Sequence, residues 1–216
     1  MRILLAIVVT VLVAIGAATS VAYFHHPLFN PRFAEFPWIA RLHVVLGGAY
    51  LTLAPLQFRT GGRRRALGYH RRAGRLLVAV AAVVGATATF ITLVIPGGGW
   101  PERILVGPFA IFFLVALGMS VHHIRAHRDA LHREWMIRAF AIGLGITTQR
   151  VLFVAFAIVL VGHKPAYDEI VFLMYLSFTA AFVLHAALAE AWIRARRSPS
   201  TTGASTPPGA PVAARA

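Results

Sequence analysis

The chain has 216 residues, 58% of them hydrophobic, and a mean hydropathy of +0.72. A soluble domain is nearer half apolar; here the excess gathers into long runs, so the chain reads as an integral membrane protein. Its formal net charge of +14 comes from 20 Arg and one Lys against seven acids. The arginines stand between apolar runs, as topology signals do, which argues against a nucleic-acid surface. The lack of cysteine excludes disulfides, thiolate nucleophiles, iron–sulfur clusters and cysteine-ligated zinc.

Six apolar runs, roughly 3–24, 38–58, 74–95, 103–124, 137–161 and 169–193, each offer the ~20 residues that a bilayer crossing needs. They predict an all-α polytopic transmembrane bundle over 1–197, with six spans and a four-helix core. A disordered cytoplasmic tail rich in Pro, Ser, Thr, Ala and Gly follows over 198–216. The first run also has features of a signal peptide, with Arg2 ahead of it and Ser20-Val21-Ala22 as a cleavage site. It is longer than a usual signal core, so a span is the preferred reading. Pro27, Pro31 and Pro37 stiffen the loop that follows, and Trp38 opens span two as an interfacial aromatic. The 59–75 loop carries Arg59, Arg63, Arg64, Arg65, Arg71, Arg72 and Arg75. Arg125, Arg128, Arg133 and Arg138 occupy the 125–138 loop, and Arg194, Arg196 and Arg197 follow the last span. The intervening loops are poor in basic residues, so both termini are expected on the cytoplasmic side of a bacterial inner membrane. Pro96-Gly97-Gly98-Gly99-Trp100-Pro101 forms an outer turn. Tyr69-His70-Arg71-Arg72 and Leu131-His132-Arg133 lead into spans three and five alike, which suggests a duplicated hairpin.

Helical spacing then sorts the faces. On span two, His43, Gly47, Tyr50, Ala54 and Gln57 share one side; on span three, Ala81, Gly85, Ala88 and Thr92 do; on span five, Ala139, Gly143, Thr147, Arg150 and Ala157 do. Stripes of small and polar residues in lipid face other helices. The core is therefore expected from spans two to five, with span six against it and span one peripheral. At ~1.5 Å per residue, Arg150 lies about 18 Å beyond Arg138, near the midplane and close in depth to Tyr50, with His43 nearer the outer end. His122 and His185 fall near one another in depth on the inner side, with His70, His123, His127 and His132 at the surface.

Arg150 is the main candidate. None of the seven acids falls near the midplane, so the guanidinium must meet carbonyls, Gln, Tyr, water or an external anion such as a propionate, lipid phosphate or substrate acid. A clamp on carbonyls or a snorkelling side chain is the structural alternative. His122 and His185 are candidate axial ligands of a b-type haem iron; a helix–helix hydrogen bond is the alternative. His123 and His127, spaced i, i+4, suit a metal on a helix, but their flanking arginines favour a cationic loop on anionic headgroups. No HExxH, GxSxG, Walker or dinucleotide motif occurs.

Arg41-Leu42-His43 with Gly47, Leu56-Gln57-Phe58-Arg59, His70-Arg71 with Gly74-Arg75, and His132-Arg133 with Trp135-Met136-Ile137-Arg138 and Arg150 together resemble the bacterial predicted membrane proteins called domain of unknown function 2306. The resemblance covers about 38–160. It implies that His43, His70, His132, Arg138 and Arg150 act as one unit. By architecture alone, the chain is also similar to b-type cytochrome-like four-helix membrane proteins. The expected function is binding of a haem, quinone or other anionic cofactor by Arg150, His122, His185, His43, Tyr50, His70, His132 and Arg138. A transporter with a central Arg/His site and a non-catalytic membrane subunit are the alternatives, and the sequence leaves enzyme activity open. Expected partners are anionic headgroups at the inner face, with a membrane protein or a second copy as further candidates and no nucleic acid.

Overall fold

The computed structural model describes residues 2–25, 35–60, 67–95, 99–161 and 166–197. The expected tail at 198–216, Pro27 and Pro31, Arg63, Arg64 and Arg65, and the Pro96-Gly97-Gly98 part of the turn lie outside the described residues. All secondary structure among the described residues is helical: α1 (Arg2–His25), α2 (Pro37–Thr60), α3 (Leu67–Val94), α4 (Trp100–Leu105), α5 (Gly107–Arg125), α6 (Asp129–Phe156, ending in π-helical Ala157–Val161) and α7 (Tyr167–Arg197). Five segments, with α4 and α5 counted together, are long and apolar enough to cross a membrane, and α1 adds an apolar stretch at Ile7–Thr19.

The helices outrun the apolar runs because backbone hydrogen bonding continues where lipid ends. α3 starts at Leu67 and α6 at Asp129, each within a basic loop. Asp129 complements the N-terminal dipole of α6. Asp168 and Glu169 do the same for α7, where Glu169 Oε2 also accepts the Ala166 amide at 2.8 Å, and Arg194, Arg196 and Arg197 suit its last turn. Span four is broken in two. Pro108 has no N–H to offer the Ile104 carbonyl and its ring clashes there, so the chain stops at Leu105 and restarts at Gly107.

Antiparallel α2–α3, α3–α5 and α5–α6 contacts form three sides of a four-helix ring, while α2 and α6 meet only sparingly on the fourth. Small residues set the close approaches. A Cβ at Gly85 would meet Leu114 Cδ2 at 2.5 Å, and one at Gly145 would meet Phe182 Cδ1 at 2.7 Å. α7 packs along the outside of α6. The expected stripes are present, with Tyr50, Ala54, Ala81, Gly85, Thr92, Ala139 and Thr147 all buried. One expectation fails, since α1 is not peripheral. It packs on both α2 and α6, and the buried Gly16 lies against Thr147 Oγ1 and Leu51. A single glycine suffices because one missing side chain lets the backbone reach the seam.

All four tryptophans carry a stacked arginine one turn on: Arg41 over Trp38 (5.4 Å), Arg103 over Trp100 (4.7 Å), Arg138 over Trp135 (4.6 Å) and Arg196 over Trp192 (4.4 Å). Trp and Arg pairs of this kind suit the headgroup level. They mark two levels, a basic end holding Trp135 and Trp192 and a far end holding Trp38 and Trp100.

Candidate functional site

The α2–α6 seam holds the main candidates. Toward the basic end it is closed by Phe58 and Phe140, with ring centroids 5.2 Å apart. In the middle the buried Tyr50 ring lies against Gly143, whose added Cβ would meet Tyr50 Cε1 at 3.1 Å, and edge-on to Phe113. The Tyr50 hydroxyl has no hydrogen-bond partner among the described residues, and neither has Thr147 Oγ1 one turn farther along α6. An unmet buried polar group costs about 1–3 kcal/mol.

This register corrects a depth. Tyr50 is level with Gly143, and seven residues toward the far end bring His43 on α2 opposite Arg150 on α6. Arg150 therefore keeps company with His43 more than with Tyr50, and the two lie within electrostatic reach. The span agrees with a ~30 Å core: Arg150 is about 22 Å from Trp135, and His43 about 8 Å from Trp38. The arginine sits in the far half of the membrane, off the midplane. It is half-buried, and among the described residues it forms no hydrogen bond or ion pair.

His43 is oriented by α3. Its Nδ1 lies 3.0 Å from Thr87 Oγ1, and the Thr87 hydroxyl is itself 2.8 Å from the Val83 carbonyl and 3.0 Å from that of Val84. Carbonyls only accept, so the single Thr87 hydrogen goes to them and its lone pair takes a hydrogen from Nδ1. The other ring nitrogen, Nε2, is left for something else.

At the basic end five helices bring a second polar set together. His132 Nδ1 donates to the carbonyl of the fully buried Ser120 (3.0 Å) and lies 2.8 Å from its Oγ. His70 bonds the Gln57 backbone and lies within electrostatic reach of His132. The two similar His-Arg motifs thus converge. Arg138 binds Glu190 through Nε (2.5 Å) and Nη2 (3.1 Å), and Arg197 pairs with Glu134, so α6 and α7 are tied by two ion pairs. Farther along the same interface, Thr148 Oγ1 lies 2.8 Å from His185 Nε2. Gln149 Nε2 donates to Ser177 Oγ (3.1 Å), and that hydroxyl donates to the Met174 carbonyl (3.0 Å).

The expected haem ligands are not brought together. His185 is buried with Nε2 engaged by Thr148, whereas His122 is exposed. Their depths differ as well. Phe109 and Phe182 stack 5.1 Å apart, and Phe112 lines one small cavity with Ala186 and Ala189. His185 is therefore level with Phe112, and His122 lies ten residues past it, about 15 Å. The offset is the register in which α5 lies beside α7, which a count from the ends of the apolar runs does not give.

Phase also misled. Phe113, Ala116, Leu117 and Ser120 are buried, which brings His123 inward; Ile111, Val115, Gly118 and His122 form the exposed stripe. His127 does not extend the helix. It takes φ 54° in a left-handed cap, with its own amide bonded to Ile124 O and that of Arg128 to His123 O, so the i, i+4 geometry with His123 is lost. Among the described residues no group of three or more His, Cys, Asp or Glu is placed to hold a metal. Thr87, Ser120 and Glu190 were missed as site residues by the sequence reading, and Thr147 stood there only as a member of the span-five stripe. Ser120 had a signal, since it continues the 113/116/117 stripe.

A helical bundle with charged belts at two levels and polar groups kept on its inner faces defines a multi-pass membrane protein. Within that class, a family model described as "Predicted membrane protein (DUF2306)" matches residues 40–193, and the chain belongs to that family. Comparison with curated proteins and with solved structures gives no match.

Proposed function

We propose that this is a bacterial inner-membrane protein that binds an anionic or carbonyl-bearing amphiphile, a quinone-like cofactor included, in the α2–α6 seam at Arg150. The observation that carries the reading is a half-buried arginine that meets no acid or hydrogen-bond acceptor among the described residues. An intramembrane charge left this way asks for a counter-group, and a ligand supplies one. Two further polar groups, Tyr50 OH and Thr147 Oγ1, are buried without partners on the same seam. Exposed Leu42, Val45, Val151 and Val154 flank it, so an apolar tail would lie along lipid-facing helix surfaces. By the positive-inside rule the basic end is cytoplasmic, and both termini with it. The arginines there meet anionic headgroups, and the ligand site then opens in the outer leaflet.

The test is native mass spectrometry of protein extracted in mild detergent, wild type against Arg150→Gln. The wild type retains a small acidic or carbonyl compound and the variant loses it. A charge-assisted bond is worth about 1.5–3 kcal/mol, so the variant's affinity falls roughly tenfold or more. Equal retention by a folded Arg150→Gln variant refutes the reading. The same preparation, grown with ample haem, gives a reduced-minus-oxidised spectrum. A Soret band there revives a haem held by ligands other than the His122 and His185 pair.

A further inference from the structure

We infer that the ligand of the Arg150 seam is a carboxylic acid that enters together with one proton, with His43 Nε2 as the proton's seat. This rests on the reading of Arg150 as an anion site and adds to it a second, chemically different recognition group. The tautomer of His43 is set by α3. Thr87 spends its hydrogen on the Val83 and Val84 carbonyls, and this commits His43 Nδ1 to donating. Neutral His43 then has a lone pair on Nε2 and nothing else to offer. Arg150, opposite it across the seam, is a donor-only cation. A permanent donor beside an acceptor that can take a proton matches the two oxygens of a carboxylic acid.

Among the described side chains, the charges around His43 are few. From α6 it is faced by Arg150. α3 contributes no ionisable side chain between Arg75 and Val94, and α1 none between Arg2 and Tyr23. On α2 itself the nearest are Arg41, stacked on Trp38, and Tyr50. Without a ligand, a proton on His43 would set two positive charges together in a medium of low dielectric, with no acid among these groups to offset them. With a carboxylate on Arg150, one charge is cancelled and the proton is accepted. The step balances: the acid's O–H bond breaks, its proton forms a bond to Nε2, and the carboxylate oxygens accept the guanidinium hydrogens. Binding and protonation are thereby linked, as a proton-coupled acid carrier requires.

The probe is octanesulfonate, an amphiphilic anion that holds no proton of its own at working pH, so any proton taken up belongs to the protein. Binding to nanodisc-embedded protein is measured from about pH 5.5 to about pH 8, a range that brackets ordinary histidine titration, together with proton uptake in weak buffer. The wild type is expected to take up close to one proton per bound anion and to lose affinity by up to tenfold per pH unit. His43→Asn, whose amide nitrogen sits where Nδ1 does and keeps the Thr87 bond, is expected to bind with no proton uptake and a flat profile. His43→Gln serves the same purpose if the Asn variant does not fold. Binding by the wild type without proton uptake overturns this inference and leaves the Arg150 site standing, as does proton uptake that persists in the His43 variants. Failure of octanesulfonate and octanoate to bind at any pH overturns both.

Discussion

Gly145 gives the sharpest structural test because its surroundings set both the sign and the size of the effect. An alanine there puts Cβ 2.7 Å from Phe182 Cδ1 and 3.1 Å from Cε1. Carbon atoms rest about 3.5–4.0 Å apart, so roughly 1 Å is missing. Phe182 cannot supply it by turning. It is buried and flanked by Phe109 at 5.1 Å and Phe178 at 5.8 Å. α6 and α7 must therefore separate, and the Thr148–His185 and Gln149–Ser177 contacts of 2.8 and 3.1 Å are one turn away. Overpacking of this kind costs about 1–3 kcal/mol. Weakened interhelical bonds add about 0.6 kcal/mol each, and alanine's better helix propensity returns about 1 kcal/mol. The net loss of about 1–3 kcal/mol should lower Tm by about 2–12 °C, read by thermal unfolding in detergent. Gly118→Ala is the control. Nothing lies within 4 Å of its added Cβ, so propensity alone acts and Tm should rise by about 2–4 °C. Phe182→Leu in the Gly145→Ala background should recover most of the loss. A Gly145→Ala protein that melts with or above the wild type, or a double variant without recovery, refutes the close approach as the cause.

Two other substitutions probe the polar groups. Tyr50→Phe removes a buried hydroxyl with no partner among the described residues, so the ligand-free protein should melt within about 1 kcal/mol of the wild type or above it, while retention of the native ligand weakens. A larger destabilisation would mean that the hydroxyl is bonded after all. Glu190→Gln breaks the bidentate pair with Arg138, whose side chains are 13% (Arg138) and 38% (Glu190) exposed. Solvent at the carboxylate limits the loss to about 1–2 kcal/mol. Adding Arg138→Gln should restore part of it by removing the stranded cation, and no restoration would argue against that charge as the source of the loss.

What the sequence made legible is what a period of 3.6 can carry. The stripes through Tyr50 and Ala54, Ala81 and Gly85, and Ala139 and Thr147 all turned inward, since each repeats over several turns. Arg150 was equally plain, because a lone charge inside an apolar run is conspicuous. Offsets between helices were not legible. An apolar run gives a helix's length but not its height against its neighbours, so Tyr50 was set level with Arg150 when close packing sets it beside Gly143. Pro108 carried a usable sign of the α4–α5 break, and the 113/116/117/120 phase pointed to His123. The Thr87–His43 and Arg138–Glu190 pairs join residues 44 and 52 positions apart, and nothing local in the sequence links such partners.

The docking of Gly16 on Thr147 also sets an order of events during synthesis. α1 leaves the ribosome ahead of α6, and the residue it closes upon follows about 130 positions later, on the order of 7–26 s at ordinary elongation rates. Until then α1 can lean only on α2, and the wall of the seam opposite His43 does not yet exist. The family match begins at residue 40 and so leaves α1 outside. α1, made before α2 to α7, is thus among the last to reach its final neighbours, and the cleft is finished only when α6 slides in beside it.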